Sequence, residues 1–162
     1  MYLDRPQIKE WMQEHDVIAL DERVSGRFES YLNSFPWAGS HVDWRVVENE
    51  KLCHPDDVDD HFLEKCRGTP WGAFGHVLVM YNGDEPSLLC EPEDVAEDID
   101  LLYCVSPGDR FSCAASLDGD VVRVYFSNFL EYDGHVRMLA AKNTKEYFEE
   151  FDLREHRIEL DR

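Results

Sequence analysis

The chain has 162 residues, 43% of them hydrophobic and 12% aromatic, and a formal net charge of -19. That length and apolar content suffice for a buried core, so the charge belongs on a folded surface; disordered chains are poor in aromatic residues. A field of this sign repels nucleic acid and anionic membrane, which excludes direct binding of either, and it draws basic partners inward.

The charge is also uneven. Basic and acidic residues number 8 and 15 over residues 1–67, 0 and 9 over 68–109, and 8 and 11 over 110–162. Solubility, or adaptation to a salt-rich interior, is the plain alternative for the total, but it explains the stretch without Lys or Arg less well.

In chain order, Asp4 is placed to cap a first helix with Pro6 in its opening turn and Ile8, Trp11, Met12 and His15 on one face. A short apolar stretch over 17–20 follows. A second helix then carries Val24, Phe28, Tyr31, Leu32 and Phe35 on one side and ends before Pro36.

Beyond Pro36 the sequence repeats itself. PWAGSHV at 36–42 is answered by PWGAFGHV at 70–77, and LCHPDDVDDHF at 52–62 by LCEPEDVAEDI at 89–99. Each copy reads as a hairpin followed by a helix, and IALDERVSGRF at 18–28 is a fainter third copy, giving units 18-35, 36-69 and 70-106. Shared supersecondary grammar is the competing account of these short matches. Over 107-141 the pattern is β, with one hairpin turning at Asp118-Gly119-Asp120 and another at Asp133-Gly134. Tyr147 and Phe151, four apart, suggest a terminal helix over 144-152. The fold expected is α+β in one domain, 1-162: an antiparallel sheet of hairpins with helices packed on one face and a degenerate strand-strand-helix repeat.

The acidic phrases carry the functional question. Asp56, Asp57, Asp59 and Asp60 follow Pro55, while Glu91, Glu93, Asp94, Glu97, Asp98 and Asp100 surround and follow Pro92. Carboxylates in a first helical turn gain about 0.3–1 kcal/mol each from the helix dipole. The i, i+4 pairs Asp56/Asp60, Glu93/Glu97 and Asp94/Asp98 instead cost a few tenths of a kcal/mol each. A cap accounts for the first acid of each phrase but not the fourth, which leaves a solvated face or a surface for a cationic partner. Trp71 and Phe74, in TPWGAFG, and Trp37, in FPWAGS, occupy turn-like segments, either as interface anchors or as covers over the core.

Other chemistries fit poorly. The acids are consecutive and lack the glycine of a calcium loop, and no apolar pocket is indicated that would raise one carboxyl for acid–base work. Cys53, His54, His61 and Cys66 have no zinc-knuckle spacing. No GxGxxG, GxxxxGK[ST] or GxSxG occurs. No catalytic residue, metal or cofactor is therefore assigned. Five cysteines without a CxxC pair, and an opening Met1-Tyr2-Leu3-Asp4 that is no signal peptide, suggest free, mostly buried thiols in a reducing cytoplasm.

In being small, cytoplasmic, strongly acidic and without catalytic motifs, the chain resembles the immunity proteins that bacteria carry against nuclease toxins. The resemblance is to a functional class spanning many folds; it transfers no motif and no residue, and DNA-mimic proteins share the same character. It implies a protein-binding inhibitor that occludes the basic cleft of a toxin or nuclease domain, with Asp56, Asp57, Asp59, Asp60, Glu91, Glu93, Asp94, Glu97, Asp98, Asp100, Trp71 and Phe74 as the contact set. A small enzyme using His54, His61 or Cys66, and a regulatory or scaffold domain holding a basic tail, are the alternatives.

Overall fold

The computed structural model describes residues 1–53, 64–66, 68–103, 111–133, 135–139 and 147–160. The first helix, α1 (Pro6–Glu14), buries Ile8, Trp11 and Met12, as their spacing predicts. Arg5, rather than Asp4, precedes it; Asp4 closes a short 3-10 turn and lies 3.3 Å from the N-terminal amine. Strand β1 (Ile18–Leu20) leads into α2 (Glu22–Leu32), where Asp21 caps by accepting from the Arg23 N–H. Val24, Phe28 and Leu32 are buried on the predicted face, with Tyr31 and Phe35 packed at its margin.

The remaining strands are β2 (Trp37–Ala38), β3 (His41–Val42), β4 (Asn49–Cys53), β5 (His76–Met80), β6 (Ser87–Cys90), β7 (Phe111–Asp118), β8 (Val121–Asp133), β9 (His135–Leu139) and β10 (Glu149–Asp152). Among the described residues, eight of these ten strands form one antiparallel sheet in the order β1-β6-β5-β7-β8-β9-β4, with β10 also paired to β8. Between β6 and β7 lie two short helices, α3 (Pro92–Glu97) and α4 (Ile99–Tyr103), and α5 (Leu153–His156) follows β10.

The α+β class and the antiparallel sheet are as expected. The helices, expected on one face, divide between two. On one side α1, α3 and α4 cover Val77, Val79, Tyr81, Leu88 and Cys90; on the other, α2 covers Leu78, Met80, Leu89, Phe111 and Phe126. Successive side chains of a strand point to opposite faces, so β5, apolar from Val77 to Met80, needs cover on both.

β8 joins what the sequence suggested as two strands. Cys113 faces Phe129 while the next residue, Ala114, faces Tyr125, so the residues between are bulged out of the ladder. The bulge lets β8 pair β10 through 121–124 and β9 through 130–133.

Two expectations give way here. Residues 149–152, expected to be helical, form β10, because the first half of β8 offers an unpaired edge that the segment completes. The paired phrases also fold differently. In PWAGSHV, Gly39 at φ 68° turns β2 straight back onto β3, whereas in PWGAFGHV residues Pro70–Gly72 make a 3-10 turn ahead of β5. β5 pairs with β6 as the hairpin reading requires, but β4 pairs with β9 at the far edge of the sheet. Among the described residues, a hairpin followed by a helix therefore occurs at 76–103, while the helix expected after 52 falls largely outside them.

Candidate partner-binding face

The acidic phrase 91–100 folds as two helices with a break at Asp98, whose backbone leaves helical geometry. Pro92 opens α3 and Glu93 and Asp94 occupy its first turn, where the exposed N–H groups favour anions. The break answers the problem of the fourth acid. Asp98 accepts a hydrogen bond from Trp11 Nε1 at 2.9 Å and lies 3.9 Å from His15 Nε2, tying α1 to the α3–α4 joint. Asp100 accepts from the Tyr132 hydroxyl at 2.7 Å, tying α4 to β8. Glu91, Glu93 and Glu97 are exposed and Asp94 half-buried, and among the described residues none of these four forms an ion pair. Asp56, Asp57, Asp59 and Asp60 lie outside the described residues.

The two aromatic residues of TPWGAFG separate. Trp71 is 0% exposed and donates from Nε1 to Ser112 Oγ at 2.9 Å. It covers the core, and its place among contact residues is corrected accordingly: a ring with no accessible surface has none to offer a partner. Trp37, by contrast, is half-buried, donating to the Leu32 carbonyl at 3.0 Å and packing edge-on against Phe111. Phe74 is 38% exposed and stacks on Tyr125, with ring centroids 4.0 Å apart. Tyr125 meets Phe148, itself 46% exposed, at 5.7 Å, and the Arg123 guanidinium stands 5.7 Å over the Phe148 ring. Arg123 is also held by Glu150, 3.3 Å away.

This aromatic pad and the acidic α3 lie on one side of the sheet. Cys90 faces Val77, Val77 faces Ala114, and Ala114 faces Tyr125, so these residues form one row on one face. Three strand spacings put the ends of that row about 14 Å apart. Glu91 follows Cys90 at one end of the row, and the pad stands at the other. Between them, Gly72 brings the 70–75 segment against the start of α3: a Cβ there would lie 3.8 Å from the Pro92 Cβ and 3.0 Å from the Cys66 carbonyl oxygen.

Tyr125, Phe148 and Arg123 were absent from the sequence-derived contact set. The alternation in 121–126 was a usable signal, since Val122, Val124 and Phe126 point into the core and Val121, Arg123 and Tyr125 to the other face. The pairing of Phe148 with Tyr125 left no local signal.

Cys66, Cys90 and Cys113 are buried, and burial pushes the Cys90 and Cys113 thiols well above their ordinary values, with the charge of Asp94 adding to the effect at Cys90. His54 and His61 lie outside the described residues. Among those described, no three His, Cys, Asp or Glu side chains are grouped to hold a metal, and no helix is long and apolar enough to cross a membrane.

Three comparisons with known proteins found no match: no family model, no curated protein and no solved structure. The functional reading therefore rests on the geometry and chemistry of this face.

Proposed function

We propose that this chain is an acidic inhibitor that binds a basic protein, of the immunity type, and occludes the substrate cleft of a nuclease-class toxin. The observation that carries the reading is the exposed Phe74 and Phe148 rings, packed on either side of buried Tyr125, on the same sheet face as Glu91, Glu93, Asp94 and Glu97, carboxylates without a basic partner among the described residues. Affinity at a protein interface concentrates in a few aromatic anchors, while complementary charge around them sets on-rate and partner choice. A standard interface buries about 800 Å² on each side, enough to include both the pad and α3. Carboxylates spaced along a surface also present a basic nuclease cleft with a pattern of negative charge like that of its substrate.

The test is capture of a basic protein at low salt, followed by assay of that protein's nuclease activity. The native chain should bind and inhibit. Phe74→Ala should raise the dissociation rate at any salt, whereas the Glu93→Gln, Asp94→Asn, Glu97→Gln combination should slow association and flatten its salt dependence. Asp98 and Asp100 stay native in that combination because they hold the fold. Inhibition that survives both sets of substitutions would refute the proposal.

A further inference from the structure

A second surface, on the opposite side of the sheet, has a different chemistry. A groove of about 520 Å³ runs between α2 and residues 147–149. That volume falls within the roughly 300–1,000 Å³ of small-molecule sites. Arg23, Arg27, Ser30, Tyr31, Tyr147 and Glu149 line it. Two guanidinium groups stand here with two carboxylates, Glu149 in the lining and Asp21 beside Arg23, an even balance in a chain in which 35 acidic residues face 16 basic ones.

The two arginines differ in how they are held. Arg23 donates to Asp21 Oδ2 from Nε at 3.2 Å and from Nη2 at 2.7 Å, and Nη2 also donates to the Glu155 carbonyl at 2.6 Å, so its position is fixed and much of its donor capacity used. Among the described residues Arg27, one turn on, comes no nearer to a carboxylate than 4.0 Å, at Glu149 Oε1. That is too long for a hydrogen bond, and among the described residues Arg27 makes none, leaving a planar fork suited to a bidentate anion. The floor is aromatic: Tyr31 and Tyr147 stack with centroids 5.3 Å apart and planes within 5°. The Tyr31 ring is fixed from below by Phe126, at 5.8 Å. Burial, helped by the nearby Cys113 and Tyr147, pushes the Tyr31 hydroxyl up to about 12, so it remains a donor at neutral pH. Tyr147 is positioned through its backbone, its N–H donating to Ser127 Oγ at 3.1 Å.

We infer that this groove binds a small anion bearing a flat ring, an aromatic phosphate or carboxylate, with Arg27 taking the anionic group and the Tyr31–Tyr147 floor taking the ring. The carboxylates at the groove itself are Asp21, which holds Arg23, and Glu149, which an anion on Arg27 must displace from its 4.0 Å approach; acids beyond about 8 Å oppose binding only weakly, being screened at physiological ionic strength. The site shares no residue with the partner-binding face and stands or falls independently of it.

Phenyl phosphate, inorganic phosphate and phenol are each titrated into the full chain while the backbone amides of 23–31 and 147–149 are followed by NMR. Phenyl phosphate should shift these amides saturably and bind at least about tenfold more tightly than either fragment. Arg27→Gln, at an exposed position, should leave the amide spectrum of the fold intact and weaken phenyl phosphate about tenfold. Arg123→Gln, on the other face, should leave the affinity unchanged. The inference is overturned if phenyl phosphate gives no saturable shift in the millimolar range, if Arg27→Gln binds it as well as the native chain, or if inorganic phosphate binds equally tightly.

Discussion

Trp71 and Phe74 stand three residues apart and do opposite work. Trp71 fills the core and satisfies Ser112. Trp71→Phe should cost about 1–2 kcal/mol, mostly the lost hydrogen bond, and Trp71→Ala about 3–5 kcal/mol, both measured by urea denaturation. Phe74→Ala removes only an exposed stack on Tyr125 and should cost about 1 kcal/mol or less in the same experiment. The acids divide in the same way. Asp98→Ala leaves the Trp11 indole N–H without its acceptor and should destabilise by about 1–2 kcal/mol, while Glu93→Gln, on an exposed carboxylate with no described partner, should be neutral within about 0.5 kcal/mol. A chemical-denaturation series that ranked Glu93 above Asp98 would contradict this division. No local pattern separates the two acids, because what distinguishes them is a helix break and the arrival of α1.

At the scale of elements, the last residues are latched to the first helical hairpin. Asp21 caps α2, its N–H donates to the His156 carbonyl, and its carboxylate lies 3.2 Å from His156 Nδ1. Burial works to raise the Asp21 carboxyl, but hydrogen bonds from Arg23 and His156 outweigh it and hold the group below the usual carboxylate value. A carboxyl lowered by folding contributes stability that is fully present above its unfolded pKa and is lost as pH falls through the folded one. Asp21→Asn keeps a good capping residue and removes the charge. It should therefore be less stable than the native chain at neutral pH, by an amount on the order of 1 kcal/mol, and should approach it below about pH 3.9, as thermal melts at a series of pH values would reveal. A second joint is the turn between β5 and β6, where the Gly83 N–H donates to Glu29 Oε2 at 3.0 Å. A Cβ on Gly83 would fall 2.3 Å from the Glu29 carboxyl carbon, so Gly83→Ala must displace that side chain, at a cost of about 1 kcal/mol by urea denaturation.

Elements whose own periodicity decides their structure were legible. α1 and α2 present the buried stripes that their sequences spell out, and Asp118-Gly119-Asp120 turns β7 into β8, with Gly119 at φ 59°. Elements decided by a distant neighbour were not. Tyr147 and Phe151 have helical spacing, yet the open edge of β8 recruits 149–152 as a strand. The echo between 36–42 and 70–77 conceals one inserted residue, which replaces a two-residue turn by a 3-10 turn and sends the following strands to opposite parts of the sheet. The acidic half of the candidate face was visible as a run of letters, whereas its aromatic half is assembled from β8, the 70–75 segment and the entry to β10.

For the molecule as a whole, charge and sheet geometry act together. A net charge of -19 on 162 residues repels itself, and salt should raise the melting temperature by screening that repulsion. The same salt should slow capture of a basic partner, so stability and association should move in opposite directions as ionic strength rises. The two faces of the sheet give the molecule two unlike surfaces: an acidic and aromatic one around α3 and Phe74, and an arginine-lined groove beside α2. Amide hydrogen exchange of the chain, free and in complex with its captured basic partner, tests most directly which surface does the binding. Protection gained at 72–75 and 91–97, with the solvent face of α2 unchanged, is the expected result; protection centred on Arg23 and Arg27 instead would contradict the assignment of the acidic face as the inhibitory surface.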